Sequence, residues 1–198
     1  MSGSRDIGTE FLVLRKHDYS DTSLVVAGLS PSFGQLHFLV RGARRVTRRS
    51  FSGVDLFREF RVQFRDGGKS DLMIWRSGEL MREYDGLPRI FRAFSEASWL
   101  ARFTLSNTCR GVEHPQYYRA LKTALSRLSD GHDSWGGMRP DPLPVRVCLL
   151  VVFLGEQGLM PQFEPGSEDR KRACLLWESG MGERPLPHEI PPPTWRQL

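Results

Sequence analysis

The sequence of 198 residues has few cysteines and no long apolar run. Cys109, Cys148 and Cys174 stand far apart without a CxxC pair, which argues against a disulfide framework and predicts a reducing compartment. The longest apolar run, Val147–Leu154, is much shorter than the roughly 20 residues that span a bilayer. Residues 1–10 are polar and lack the apolar stretch of a secretory signal. We therefore expect a soluble, cytoplasmic protein in which Cys148 is a small buried hydrophobe.

Familiar catalytic and metal-binding motifs are also missing. The sequence has no GxxxxGK[ST] loop, no GxSxG, no HExxH and no paired-carboxylate pattern. The histidines are scattered, and none stands with a cysteine at metal-ligand spacing, so we expect each to be a surface residue. The sequence predicts a protein that is not an enzyme and that has no metal or cofactor.

Lysine is scarce, and arginine supplies nearly all of the positive charge. The formal net charge is +5 and the pI is about 9.4. The planar guanidinium pairs with phosphate through two hydrogen bonds and stacks on bases, which favours a nucleic-acid partner. A GC-rich genome explains an arginine bias equally well, so the composition alone leaves both explanations open.

The first 80 residues show the short, alternating apolar pattern of β-strands. In the fourth of the five segments, Phe60, Val62 and Phe64 alternate with polar residues. The predicted strands are Glu10–Arg15, Ser23–Leu29, Gln35–Val40, Phe57–Arg65 and Leu72–Leu80. Five short strands in this length suit a small closed barrel such as the OB-fold.

After Pro88 the apolar residues recur at three- and four-residue spacing, which is typical of helices. The predicted helical segments lie around Phe94–Leu105, Tyr118–Leu128 and Val145–Gln157. The last is nearly all apolar, so we expect a buried helix. From Pro161 onward proline and glycine leave little room for regular structure.

These patterns predict an α+β protein with three parts. Residues 1–83 form a five-stranded OB-fold β-barrel that binds nucleic acid. Residues 84–160 form a small all-α helical domain. Residues 161–198 form an irregular tail rich in proline and glycine.

A run of arginines follows the third predicted strand. Within nine positions and without an acidic residue stand Arg41, Arg44, Arg45, Arg48 and Arg49. Gly42, Thr47 and Ser50 favour a loop over a helix. Such a concentrated positive loop beside a barrel is typical of phosphate binding. The alternative is a solvated loop, or one whose arginines pair with acids elsewhere in the chain.

Other residues are candidates for the same surface. The further basic candidates for DNA binding are Arg15, Lys16, Arg61 and Arg65. Phe38 and Phe51 lie near the arginine run and are candidates for base stacking, the means by which OB-folds hold single strands. The alternation of Phe38 with His37 and Leu39 is equally compatible with a place in the core.

These motifs resemble the N-terminus of the RecO family. Tyr19–Ser23 and Arg41–Arg45 match the family's "Y-S-E-T-S" turn and "K-G-A-R-R" motif in order and spacing. Phe153–Pro161 resembles the family's "L-L-x-x-x-G-Y-x-P" helix end more weakly. The resemblance covers about residues 7–161.

The resemblance implies an OB-fold domain followed by a helical domain, and a cytoplasmic, nucleoid-associated mediator of RecF-type repair and recombination. It implies binding of single- and double-stranded DNA and annealing of complementary strands. It also implies partnership with RecR and with the single-strand-binding protein, to help load RecA. The matched basic residues are Arg41, Arg44 and Arg45.

Two departures from the family leave alternatives open. Many members carry a CxxC…CxxC zinc site after that helix end, but Gly166 and Asp169 stand where its first pair would fall, so we expect no zinc. The chain also stops about where the family continues, which suggests a shortened, divergent member. The alternatives are a protein-interaction scaffold with a RecO-like fold and little annealing activity, and an RNA-binding OB module.

Overall fold

The computed structural model describes four stretches of the chain, namely residues 6–43, 53–65, 71–130 and 143–159. Five strands are followed by three α-helices, which confirms the predicted α+β class. The strands are β1 (Ile7–Asp18), β2 (Leu24–Ser30), β3 (Gly34–Val40), β4 (Arg58–Arg65) and β5 (Leu72–Glu83). The helices are α1 (Phe91–Asn107), α2 (Pro115–Ser129) and α3 (Leu143–Glu156), and a short 3₁₀ helix at Leu87–Arg89 precedes α1.

The five strands form a closed barrel in the order β1-β2-β3-β5-β4. β3 and β5 pair in parallel, and the other neighbours, including β1 and β4, pair antiparallel. This is the topology of the OB-fold, as the strand count predicts. Each strand therefore has a neighbouring strand on both sides, as in a closed barrel.

Alternating side chains fill the barrel. On β3, Leu36, Phe38 and Val40 are buried in the core cluster. The Phe38 ring lies edge-on to Phe11, with 4.8 Å between the ring centroids, and is fully buried. Phe38 is therefore a core residue, which decides between the two alternatives that the sequence left open.

β1 is buried on both faces. Phe11 and Val13 belong to the barrel core, whereas Leu12 and Leu14 are buried without belonging to that cluster. α1 packs against β1 and β2 from outside the barrel. This double burial explains why the β1 sequence reads as a nearly continuous apolar run rather than as a strict alternation.

Backbone hydrogen bonds join the β2–β3 turn to the chain after α1. The amide of Gln35 donates to the carbonyl of Cys109 at 3.1 Å, and the amide of Gly111 donates to the carbonyl of Phe33 at 2.9 Å. At the start of α2, His114 is buried with its ring 6.4 Å from that of Tyr117. The expectation that every histidine is a surface residue was therefore wrong for His114, because this one sits where α2 joins the barrel turn.

The chain divides into two compact units, Met1–Asp141 and Pro142–Leu198. α1 and α2 belong to the unit of the barrel. The predicted domain limits at residues 83 and 160 stay predictions, and the predicted tail from residue 161 lies outside the described residues.

α3 belongs to the second unit. Its described side chains are buried at Leu149, Phe153 and Leu154 and partly or fully exposed elsewhere. Cys148 is exposed, because it lies off the face that Leu149 and Phe153 share at four-residue spacing, so the expectation of a buried cysteine was wrong. Within the described stretches, no helix is long and apolar enough to cross a membrane.

Candidate nucleic-acid interface

Strand register places Arg15 and His37 on one outer surface of the barrel. Arg15 pairs with Ala27 on β2, and Ala27 pairs with His37 on β3. The next row runs from His17 through Val25 to Leu39. Side chains in one row of a sheet point to the same side. We call this surface the β1–β3 face, and its residues are Arg15, His17, Val25, Ala27, His37 and Leu39.

The β1–β2 turn and the arginine run leave the barrel at the same end. Leu24, which begins β2, pairs with Val40, which ends β3. The turn between β1 and β2 is closed by the amide of Tyr19, which donates to the carbonyl of Ser23 at 3.1 Å. Arg41 follows Val40 directly, so the turn and the first arginine of the run are neighbours at this end.

Arg15 and Arg41 are the two sequence-predicted arginines that the structure leaves most available. Both side chains are exposed. Among the residues that the structure describes, no carboxylate forms an ion pair with either of them. An exposed guanidinium without a carboxylate partner is the group that a phosphate neutralises most favourably.

Lys16, Arg61 and Arg65 have carboxylate partners instead. Lys16 lies 2.6 Å from Asp55, and Arg65 lies 2.5 Å from Asp6. These are surface ion pairs, worth roughly 0–1 kcal/mol each, so phosphate can compete for the same cations. Their charge is nevertheless already balanced within the protein.

Arg61 lies between two acids on a different side of the barrel. It pairs in register with Glu10 on β1 and with Glu79 on β5, and its guanidinium lies 3.4 Å from the Glu79 carboxylate. This row runs from β1 through β4 to β5, whereas the β1–β3 face runs from β1 through β2 to β3, on the other side of β1. The structure therefore does not bring Arg61 together with Arg15.

The rest of the arginine run lies outside the described residues. This applies to Arg44, Arg45, Arg48 and Arg49, and to the proposed stacking residue Phe51. Their roles stay predictions. The described part shows Gly42 with a φ of +71°, a left-handed conformation that favours glycine and turns the chain out of β3.

Sequence reasoning missed three residues of the β1–β3 face and the adjoining β1–β2 turn. Tyr19 is 65% exposed in the β1–β2 turn, and His17 and His37 lie on the β1–β3 face. A tyrosine in a polar turn next to a basic loop was the pattern that could have pointed to Tyr19, because loops of the barrel end carry ligand contacts in OB-folds. The positions of His17 and His37 on the face could be assigned only from the strand register.

No group of three or more His, Cys, Asp or Glu side chains that could hold a metal ion occurs in the described stretches. Gly166 and Asp169, near which the resemblance would put the first zinc pair, lie outside them. The described surface offers cations, an aromatic ring and imidazoles, which suit binding of a polyanion.

The topology and this outer surface define an OB-fold protein with a basic barrel end. Residues 1–84 match the family model described as "Recombination protein O N terminal". This part of the chain is thus similar to the N-terminal part of the RecO family, the resemblance that its two N-terminal motifs indicated.

Three relatives show how far the similarity extends. The DNA repair protein RecO of Bacillus velezensis is 26% identical over 175 residues, which cover 87% of this chain and 61% of that protein. The RecO protein of Syntrophobacter fumaroxidans is 23% identical over 157 residues, covering 79% and 58%. That of Bacillus subtilis is 24% identical over 155 residues, covering 77% and 56%. The chain thus spans less than two thirds of the length of the relatives it matches.

Proposed function

We propose that this protein binds single- and double-stranded DNA through the basic end of its barrel and acts in repair and recombination as a non-enzymatic mediator that anneals complementary strands. The observation that carries the proposal is the exposure of Arg15 and Arg41, without carboxylate partners among the described residues, beside the exposed ring of Tyr19. The relatives are DNA repair proteins by name, which supports the repair role.

The three side chains supply two kinds of contact. Arg15 and Arg41 can neutralise phosphates, and each neutralised phosphate releases a condensed counterion. Tyr19 can stack on a base, which tolerates any sequence because every base has an aromatic face. OB-folds commonly bind oligonucleotides with the face of strands 2 and 3 and with the loop between strands 1 and 2. Here β3 carries His37, and that loop carries Tyr19.

Annealing follows from the same electrostatics. Two complementary strands repel through their phosphates, and a basic surface that neutralises some of them lowers the barrier to pairing.

To test annealing, we would mix a fluorophore-labelled oligonucleotide with its quencher-labelled complement and follow quenching with and without the protein. Faster annealing that is lost in Arg41→Ala supports the proposal. Wild-type protein that binds DNA but leaves the annealing rate unchanged would favour the scaffold alternative.

Arg61→Ala is the matched comparison for Arg41→Ala. Both changes remove one exposed arginine. Because Glu10 and Glu79 flank Arg61, its loss should weaken DNA binding less than the loss of Arg41. Equal losses of affinity would mean that the β4–β5 side also contacts DNA.

The kind of nucleic acid that is bound and the protein partners are further parts of this proposal. Competition between DNA and RNA oligonucleotides of matched sequence decides the polymer, because only contacts to the 2′-hydroxyl distinguish them. RecR and the single-strand-binding protein are the proposed protein partners in a cytoplasmic, nucleoid-associated setting. Sedimentation of the purified chain with each one tests this, and the absence of any complex would leave DNA as the sole proposed partner.

A further inference from the structure

His37 stands beside Arg15 on the β1–β3 face. The two residues flank Ala27 in one row of three paired strands. Neighbouring strands lie about 4.8 Å apart, so the Cα atoms of Arg15 and His37 are separated by roughly 10 Å. Ala27 has the smallest side chain of the row and is buried. The long, exposed side chain of Arg15 and the partly exposed ring of His37 can therefore reach one group placed between them at the surface.

Gln35 fixes the orientation of the His37 ring. The amide end of Gln35 faces the carbonyl oxygens of Thr108 at 2.6 Å and Leu105 at 3.1 Å, at the C-terminal end of α1. Carbonyl oxygens only accept hydrogen bonds, so the amide nitrogen must point to them. The Gln35 Oε1 then faces the Nε2 of His37 at 2.9 Å and accepts a hydrogen bond from it.

This arrangement decides where a proton enters the ring. Because Nε2 donates to Gln35, the neutral ring carries its hydrogen on Nε2, and Nδ1 is the atom that titrates. Protonation at Nδ1 leaves the bond to Gln35 intact. The imidazole can thus gain positive charge without losing its position on the face.

Burial and the charges of two neighbouring groups act on the pKa of His37. Burial lowers its pKa below the ordinary value of 6.5, and Arg15 on β1 lowers it further, whereas Asp71 before β5 raises it. Arg110, after α1, lies 3.8 Å from Asp71 and offsets part of that carboxylate's effect. The paired residue on β2, Ala27, has no charge. In the absence of a ligand, His37 is therefore mostly neutral at pH 7.

We propose that Arg15 and His37 together hold one phosphate of the bound strand, and that His37 takes up a proton as they do so. The inference rests on the proposed function and adds a pH dependence to it. A phosphate placed between the two side chains brings a negative charge next to the ring, which favours the protonated form. Binding and protonation then strengthen each other.

The first test is the affinity for a fluorescent oligothymidine, whose bases do not titrate in the range used, between pH 5.5 and 8 at constant ionic strength. Because the free pKa lies below the bound pKa, affinity should rise as the pH falls through the interval between them. One proton gives a slope of at most about tenfold per pH unit. His37→Gln should abolish the slope, because glutamine can still hydrogen-bond to Gln35 but does not titrate. Arg119→Met on α2, outside the β1–β3 face, should retain it.

The second test measures the protonation of His37 directly. The pKa of the His37 ring, followed by NMR, should be higher in the complex than in the free protein. In the free protein Arg15→Gln should raise it and Asp71→Asn should lower it, since these groups act in opposite directions. Equal pKa values in the free and bound states, or a slope that survives His37→Gln, would overturn the inference.

The outcomes separate this inference from the proposed function. Wild-type protein that does not bind the oligonucleotide at any pH contradicts the proposed function itself. Binding that is tight but independent of pH leaves that function standing and contradicts only the role of His37. A thermal unfolding midpoint for His37→Gln close to that of wild type excludes misfolding as the cause of a lost slope.

Discussion

Lys122 on α2 donates a 2.5 Å hydrogen bond to Glu59 on β4, whose side chain is 2% exposed. The hydroxyl of Tyr118 donates to the same carboxylate oxygen at 3.1 Å. Burial, together with the negative charge of Glu59, raises the pKa of that hydroxyl above its usual range. Two residues of α2 thus satisfy a buried carboxylate of the barrel, which ties this helix to β4.

Lys122→Met should therefore destabilise the protein. It leaves the Glu59 carboxylate buried with Tyr118 as its remaining donor from α2, and an under-satisfied buried polar group costs about 1–3 kcal/mol. Urea unfolding followed by circular dichroism measures the loss. Adding Glu59→Gln should recover part of it, because a neutral amide needs no counter-charge.

The exposed Arg119 on the same helix provides the control. Arg119→Met removes a positive charge whose side chain, among the residues described, donates to its own helix at the carbonyl of Pro115. Its effect should stay within about 0.5 kcal/mol. Equal effects of the two methionine substitutions would show that the Glu59–Lys122 pair does not stabilise the fold.

Gly34 and Gly42 form a natural pair for testing how closely the chain after α1 packs on the β2–β3 turn, since only Gly34 lies there. Both have a positive φ, of 66° and 71°. A Cβ on Gly34 would lie 2.2 Å from the carbonyl oxygen of Cys109, whereas one on Gly42 would meet nothing within 4 Å. Gly42→Ala should cost about 1 kcal/mol for the backbone conformation alone, and Gly34→Ala should cost clearly more. Similar unfolding free energies would contradict the close packing of this turn.

Tyr19→Ala should weaken binding of single strands by about 1–3 kcal/mol, the usual contribution of one stacked base. Because the side chain is 65% exposed, the unfolding midpoint should hardly change. Tyr19→Phe keeps the ring and should bind as wild type does. Phe91→Ala is the control, since Phe91 is 87% exposed at the start of α1 and is not part of the β1–β2 turn. A loss in Phe91→Ala equal to that in Tyr19→Ala would argue against a specific stacking site.

The barrel could be predicted from sequence because its strands follow local rules. Phe60, Val62 and Phe64 alternate with polar residues, and their burial in the structure is what that alternation predicts. β1 runs to Asp18, beyond its predicted end at Arg15, because pairing with Leu24–Ala27 on β2 continues past the apolar residues. Pairing partners decide where a strand ends, and they are not local in sequence.

The candidate site was predictable only in part, for a similar reason. Arg41 could be identified from charge density in one segment. The separation of Arg15 from Arg61 depends on which strands are neighbours, and the acids beside Arg61 come from β1 and β5. Gln35 orients the ring of His37, and Arg15 and Asp71 shift its pKa. These groups come together only when the barrel closes.

The central claim is that the basic end of the barrel binds single-stranded DNA. Fluorescence anisotropy of a labelled oligonucleotide across a salt series tests it most directly, with wild type beside the variant Arg41→Ala/Arg44→Ala/Arg45→Ala. We expect the logarithm of wild-type affinity to fall linearly with the logarithm of salt concentration, and the variant's slope to be flatter by up to roughly 0.7 for each lost phosphate contact. No wild-type binding at low salt, or an identical slope in the variant, would contradict the account.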